Sequence, residues 1–204
     1  MSSLIDYLSS LILGAALLGI ILNANEMASE NQSVYNGDML VQEMLVQTAH
    51  LIEGEFRNMG LGVAEDDKTV MGADTSSITF LYDYDRKGVV DTIRYYVGTT
   101  AEMAGTQNEL DRPLYRTLNS GTPAKVGVVT AFKLRYLTRG GEVLATPVAV
   151  NRLSEIHSVE LTMEVQNPYA VKSSAGAAGN GTRDALYSSS LWQQTRLASQ
   201  NTRR

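Results

Sequence analysis

The sequence predicts an α+β fold, a long N-terminal helix packed on an antiparallel β-sheet head. Three observations carry that prediction. An apolar run opens the chain, a stripe of hydrophobic residues at three- and four-residue steps follows, and beyond Gly62 the hydrophobic period drops to two. A period near 3.6 belongs to helices and a period of two to half-buried strands. The change near residue 62 divides the chain into a helical stem, residues 1–62, and a β head, residues 63–204. A helix segregated to one face of an antiparallel sheet is a stable way to bury both apolar surfaces.

The opening run comes first. No polar side chain occurs from Leu11 to Leu22, and the apolar stretch extends back to Leu4. As a helix, residues 4–22 would span roughly 28 Å, close to the hydrocarbon thickness of a bilayer. A secretory signal would begin with Lys or Arg and end in a small-x-small cleavage site. No basic residue precedes this run, and Leu22-Asn-Ala24 fits such a site poorly. A retained transmembrane anchor is therefore expected, ahead of a cleaved signal or a helix buried in a soluble protein. No Lys or Arg appears before Arg57, so the positive-inside rule has little to count. The short N-terminus and the acidic flank of Glu26, Glu30 and Asp38 favour an N-terminus inside and the bulk of the chain exported. Asp6 is the lone acid of the run, and an unpaired carboxylate is costly in lipid. It either stays wet at headgroup level or pairs with an α-amino group, its own or a neighbour's. Ala15 and Gly19 form a small-xxx-small step, a common face for helix–helix contact.

The polar stretch from Asn23 to Asp38 has poor helix propensity, which leaves it either helical under tertiary support or partly extended. Asp38 reads as the N-cap of a second helical segment. From residue 38 to 60 the pattern is amphipathic, with Val41, Met44, Leu45, Thr48, Leu51, Ile52, Phe56 and Met59 on one stripe. Gln42, Glu43, Gln47, Glu53, Glu55 and Arg57 fall mainly off it. Gly60 and Gly62 terminate the helix, since glycine adopts the left-handed conformation of a helix end without penalty.

Alternation then sets in. Ile78 to Tyr84 and Val89 to Val97 predict two strands joined by the turn Asp85-Arg-Lys-Gly88. Leu114 to Leu118 is a third strand and Val126 to Leu137 one long strand, with a tight turn at Arg139-Gly-Gly-Glu142. Val143 to Val150 contains Pro147 and is assigned to an edge strand or loop. Ile156 to Val165 alternates again, Ser173 to Thr182 reads as a loop, and Leu186 to Leu197 closes the chain as strand or short helix.

Composition removes several function classes. The chain has 204 residues, enough for an anchor and one domain with its own core, and a net charge of −5. No basic stripe is present to displace counterions from nucleic acid, so nucleic acid is not an expected partner. There is no cysteine, hence no disulfide framework, thiolate site or Cys-ligated zinc. His50 and His157 match no nucleophile motif, and no phosphate-cradling glycine loop opens a helix. Asp83-Tyr-Asp85-Arg-Lys-Gly88 resembles the start of a calcium loop, but Lys87 and Arg94 stand where ligands belong, and a hairpin turn explains the same residues. Glu65-Asp66-Asp67 reads as a solvated acidic loop, and the glycosylation triplets at Asn31 and Asn180 are of a kind that arises by chance. No catalytic, cofactor or metal site is expected, and the chain does not read as an enzyme.

The order of parts resembles that of type IV pilins and type II secretion pseudopilins. Ser2-Ser3-Leu4-Ile5-Asp6 aligns with the mature start of that superfamily if Met1 is removed, with Asp6 as the acidic fifth residue and Ser and Asp replacing the usual Phe and Glu. Glu55-Phe-Arg57-Asn-Met-Gly60, the tyrosine-rich hairpin and the Val129 to Tyr136 strand are similar to the larger minor pilins and the J-type pseudopilin. The resemblance implies a structural subunit, minor by this likeness, of a pilus-like or pseudopilus-like filament. It implies other pilin-like subunits as partners, with lipid around the helix before assembly. The implied location is the inner (cytoplasmic) membrane, single-pass with the head exported, and then an extracellular filament. The assembly residues implied are Ser2, Leu4, Ile5, Asp6, Ala15 and Gly19, with Asp6 neutralising the N-terminal amine of a neighbour. The alternative is a single-pass subunit of an envelope complex whose β head binds a partner protein.

Overall fold

The computed structural model describes residues 2–64, 67–106, 108–167 and 190–198. The proposed loop at 173–182 and the acids Glu65 and Asp66 lie outside them. Helix α1 runs without interruption from Ser2 to Arg57. The chain divides into two compact units, residues 1–39 and 40–204.

The first unit is the opening part of α1, and its described side chains from Leu4 to Leu18 are exposed. Asp38 is not an N-cap, since it sits inside the helix. The first proline of the chain is Pro113, so nothing breaks the backbone ladder between residues 23 and 38. Nucleating a helix is costly but propagating one is cheap, and a few Asn and Ser residues at under about 1 kcal/mol each do not stop it. The serines also satisfy themselves locally. Ser9 Oγ donates to the Ile5 carbonyl at 2.7 Å and Ser33 Oγ to the Ser29 carbonyl at 3.1 Å, both one turn back.

The second unit holds the remainder of α1 and two antiparallel sheets where the sequence suggested one. Strands β1 (Val70–Ala73), β2 (Ser77–Tyr82), β3 (Asp91–Val97), β4 (Arg112–Leu118) and β5 (Ala124–Val129) form a five-stranded meander. Strands β6 (Ala131–Leu137), β7 (Val143–Leu144), β8 (Ser158–Gln166) and β9 (Ser190–Ala198) form a four-stranded sheet in the order β7-β6-β8-β9. The long strand expected over Val126 to Leu137 is thus two strands in different sheets. At the break, Thr130 N donates to the Glu164 carbonyl at 2.9 Å, which turns the chain into the second sheet. Neither glycine nor proline marks that point, so the run Val128-Val-Thr-Ala-Phe132 carries no breaker signal. Short 3-10 helices at Thr100–Met103 and Val150–Glu155 and the brief strand β1 also went unread.

The core lies between α1 and both sheets. Val41, Leu45, Ala49, Ile52 and Phe56 of the helix pack with Ile78, Phe80, Ile93, Tyr95 and Leu114 of the first sheet and with Leu134, Val159, Leu161, Met163 and Leu197 of the second. Leu51, expected on the buried stripe, is exposed, while Ala49 and Glu55 are buried. The helix ends as expected, with Gly60 and Gly62 at φ of 78° and 79°. Gly60 N then donates to Leu81 O and Asp83 N to Leu61 O, both at 2.8 Å, tying the helix end to the end of β2. Along β5 the helix approaches so closely that a Cβ on Gly127 would lie 2.8 Å from Thr48 Oγ1. At the other sheet Glu53 accepts hydrogen bonds from Thr195 Oγ1 at 2.9 Å and Gln193 Nε2 at 3.2 Å, which fixes β9 to the helix.

Candidate functional site: an exposed helix and a charged helix–sheet joint

Among the described residues, α1 is the one helix long and apolar enough to cross a membrane. Leu4 is 73% exposed and Ile5 66%, and Leu11, Ile12, Leu13, Leu17, Leu18, Ile20, Ile21 and Leu22 are likewise open. A contiguous apolar surface of this kind requires a cover, either lipid or protein. The structure places Ser2, Leu4, Ile5, Asp6, Ala15 and Gly19 all on this helix. At roughly 100° per residue, Ala15 and Gly19 share one face and Asp6 points from the opposite one. The helix therefore offers two separate features, a close-approach face and an acid, rather than one combined site. No atom of the described residues would lie within 4 Å of a Cβ at Gly19, so none of them occupies that position of the small-residue face. Asp6 is exposed and forms no ion pair among the described residues.

A second arrangement was not anticipated. Glu55, at 7% exposure, sits at the end of the buried stripe. Arg116 of β4 grips it in two-pronged fashion, Nη2 to Oε1 at 2.6 Å and Nε to both oxygens at 2.9 and 3.0 Å. The Tyr95 hydroxyl of β3 donates to Glu55 Oε2 at 2.5 Å. Burial, and after it the Glu55 charge, pushes the phenols of Tyr95 and Tyr82 far above their usual range. For Arg116 burial works against the charge, but the Glu55 hydrogen bond and charge outweigh it and hold the guanidinium more firmly protonated. Its Cζ also lies 5.0 Å from the centroid of the Tyr84 ring, a cation–π contact. The cluster is a mechanical joint between helix and sheet.

The acidic hairpin behaves as a turn. Oxygens of Asp83, Asp85 and Asp91 converge within 4.8 Å of one another. The loop's own donors take them: Lys87 N and Gly88 N reach Asp83 at 3.1 and 2.8 Å, Asn119 Nδ2 reaches Asp91 at 2.8 Å, and Lys87 Nζ reaches Asp85 at 2.6 Å. The Lys87 hydrogen bond holds the Asp85 carboxyl below its ordinary value. Asp67 is exposed, as is His50 on the helix, and His157 is half-buried just before β8.

Among the described residues, Asp111 Oδ2 is the buried side-chain oxygen without a hydrogen-bond partner. Burial pushes its carboxyl up, opposed by Thr106 and Lys125. An acid whose folded pKa is raised gives stability that is present below its unfolded pKa and is lost as pH rises through the folded one. Asp111→Asn should therefore raise the melting temperature at pH 7, and the gain should vanish on acidification to about pH 4 or below. Thermal unfolding of the detergent-solubilised chain at both pH values checks this, and an equal gain at both would contradict it.

Two comparisons with known proteins find nothing: no protein-family profile and no curated protein matches the chain. Among solved structures, a type IV-like pilin from Thermus thermophilus superposes with a TM-score of 0.50 at 13% sequence identity, covering 80% of this chain and 97% of that one. In this chain a long N-terminal helix is followed by antiparallel sheets, and the chain has the fold of that type IV-like pilin.

Proposed function

We propose that the chain is a structural subunit of a type IV pilus-like or type II secretion pseudopilus-like filament. Residues 4–22 hold it in the cytoplasmic membrane before assembly, with the head exported. The apolar opening of α1 exchanges lipid for sister helices when the subunit enters the filament. The observation that carries the reading is that open helix, with a single carboxylate in it, on a pilin fold. In a bundle of apolar helices an unpaired carboxylate is expensive, and the terminal amine of a neighbouring subunit is the natural partner. Pairing Asp6 with that amine sets the axial register, while Ala15 and Gly19 let helices approach closely. The reading does not depend on whether the subunit is a major or a minor component.

Asp6→Ala tests it. The variant should remain folded and membrane-bound yet fall at least about tenfold in filament incorporation, since losing a buried ion pair removes more than about 1.4 kcal/mol. Immunoblots of sheared filaments against membrane fractions give the readout. Wild-type incorporation of the variant would count against the pairing, and a fixed complex extracted by detergent with no fibres would favour the envelope-complex alternative.

A further inference from the structure

A cleft opens where the chain passes from one sheet to the other. It measures about 160 Å³ and is lined by Ser76, Arg112, Thr130 and Lys133 around an apolar floor that includes Val129 and Phe132. Arg112 and Lys133 are exposed and have no ion-pair partner among the described residues. The Thr130 hydroxyl already donates to the Glu164 carbonyl at 3.3 Å, and the two cations with the Ser76 hydroxyl over an apolar floor suit a carboxylate on a short hydrocarbon stem. A cleft of about 160 Å³ accommodates a single side chain.

The chain carries an unmatched counterpart. No Lys or Arg occurs before Arg57, yet the helix contains seven acids up to that point: Asp6, Glu26, Glu30, Asp38, Glu43, Glu53 and Glu55. Glu55 is held by Arg116, Glu53 by Thr195 and Glu43 by Gln47. Asp38 also has an interaction. Glu26 is exposed on a polar surface with Asn25, Ser29 and Ser33 and has no partner among the described residues. The Asp83–Asp91 hairpin is a poorer counterpart, because its own loop already engages its carboxylates.

We propose that the cleft between Arg112 and Lys133 receives Glu26 of a second copy of this chain. The inference rests on the filament reading above and gives it a second contact, from the head of one subunit to the helix of another. The two surfaces differ, so the contact is heterologous, and a heterologous contact that does not close into a ring propagates as an open filament.

The absence of cysteine provides a clean test in the full chain. Differently tagged Glu26→Cys and Arg112→Cys chains would be co-expressed and their filaments treated with copper–phenanthroline. The expected result is a disulfide-linked dimer carrying both tags. In parallel, Glu26→Lys and the pair Arg112→Glu with Lys133→Glu should each lower incorporation at least tenfold, and combining all three substitutions should restore it. Filaments that assemble without the two-tag dimer, or that cross-link Arg112→Cys only to a different subunit, overturn this contact and leave the filament reading standing. A wild-type chain that forms no filaments overturns both.

Discussion

Replacing Arg116 with alanine should destabilise the head by about 3–5 kcal/mol, because it strands the Glu55 carboxylate in the core. Glu55 and Arg116 are nearly shut off from solvent, with side chains 9% and 14% exposed. Truncating Arg116 removes three short hydrogen bonds together and leaves neutral phenols, Tyr95 foremost, to face the charge. Removing both charges is a different experiment. Glu55→Leu with Arg116→Met replaces the pair by apolar groups of similar volume, a change that is often neutral or stabilising. The double variant should therefore recover most of what Arg116→Ala loses. Urea unfolding of the detergent-solubilised full chain measures both, and a loss under about 1 kcal/mol for Arg116→Ala would show that water reaches the carboxylate.

The second large effect is expected at Phe56. Phe56→Ala should lose about 3–5 kcal/mol, the usual range for deleting a fully buried ring. Phe56 is wholly inaccessible and meets Phe80 edge-on at 5.3 Å and Tyr95 edge-on at 6.0 Å. These three rings carry the contact between the helix and the middle of the first sheet, and the hole left behind is walled by β-strands that cannot collapse into it. Phe56→Leu should lose much less, since most of the volume remains. The same unfolding measurement distinguishes the two, and equal losses would mean that the cost is not one of packing.

Much of this architecture is legible from residue periods alone. The apolar opening, the stripe from Val41 to Met59, the glycine stop and the β2–β3 hairpin follow from hydrophobic spacing and turn chemistry. Glu55 was misread because a carboxylate counts as polar wherever it falls. It nevertheless sits three residues after Ile52 and four before Met59, inside the stripe, and Arg116 stands between Leu114 and Leu118 on the inward face of β4. A charge of each sign on an apolar face is the signal that could have paired them. The division at Thr130 had no such signal. Val128 and Val129 before the break and Ala131 and Phe132 after it are all apolar, and only the pairing with β4 on one side and β8 on the other separates them. Asp38 shows the reverse error, a good capping residue overruled because the helix was already under way. The residues proposed for assembly, Ser2, Leu4, Ile5, Asp6, Ala15 and Gly19, rest on a likeness in order and spacing.

The bond between Glu53 and Thr195 closes a loop of 142 residues. Long-range closures of this kind are made late and slowly, because the intervening chain must be ordered first. The helix therefore gains its contacts with the second sheet in full only once nearly the last strand has paired with β8. Without β9, the backbone of β8 beside Leu161 and Met163 would be an unpaired sheet edge, open to pairing with another chain.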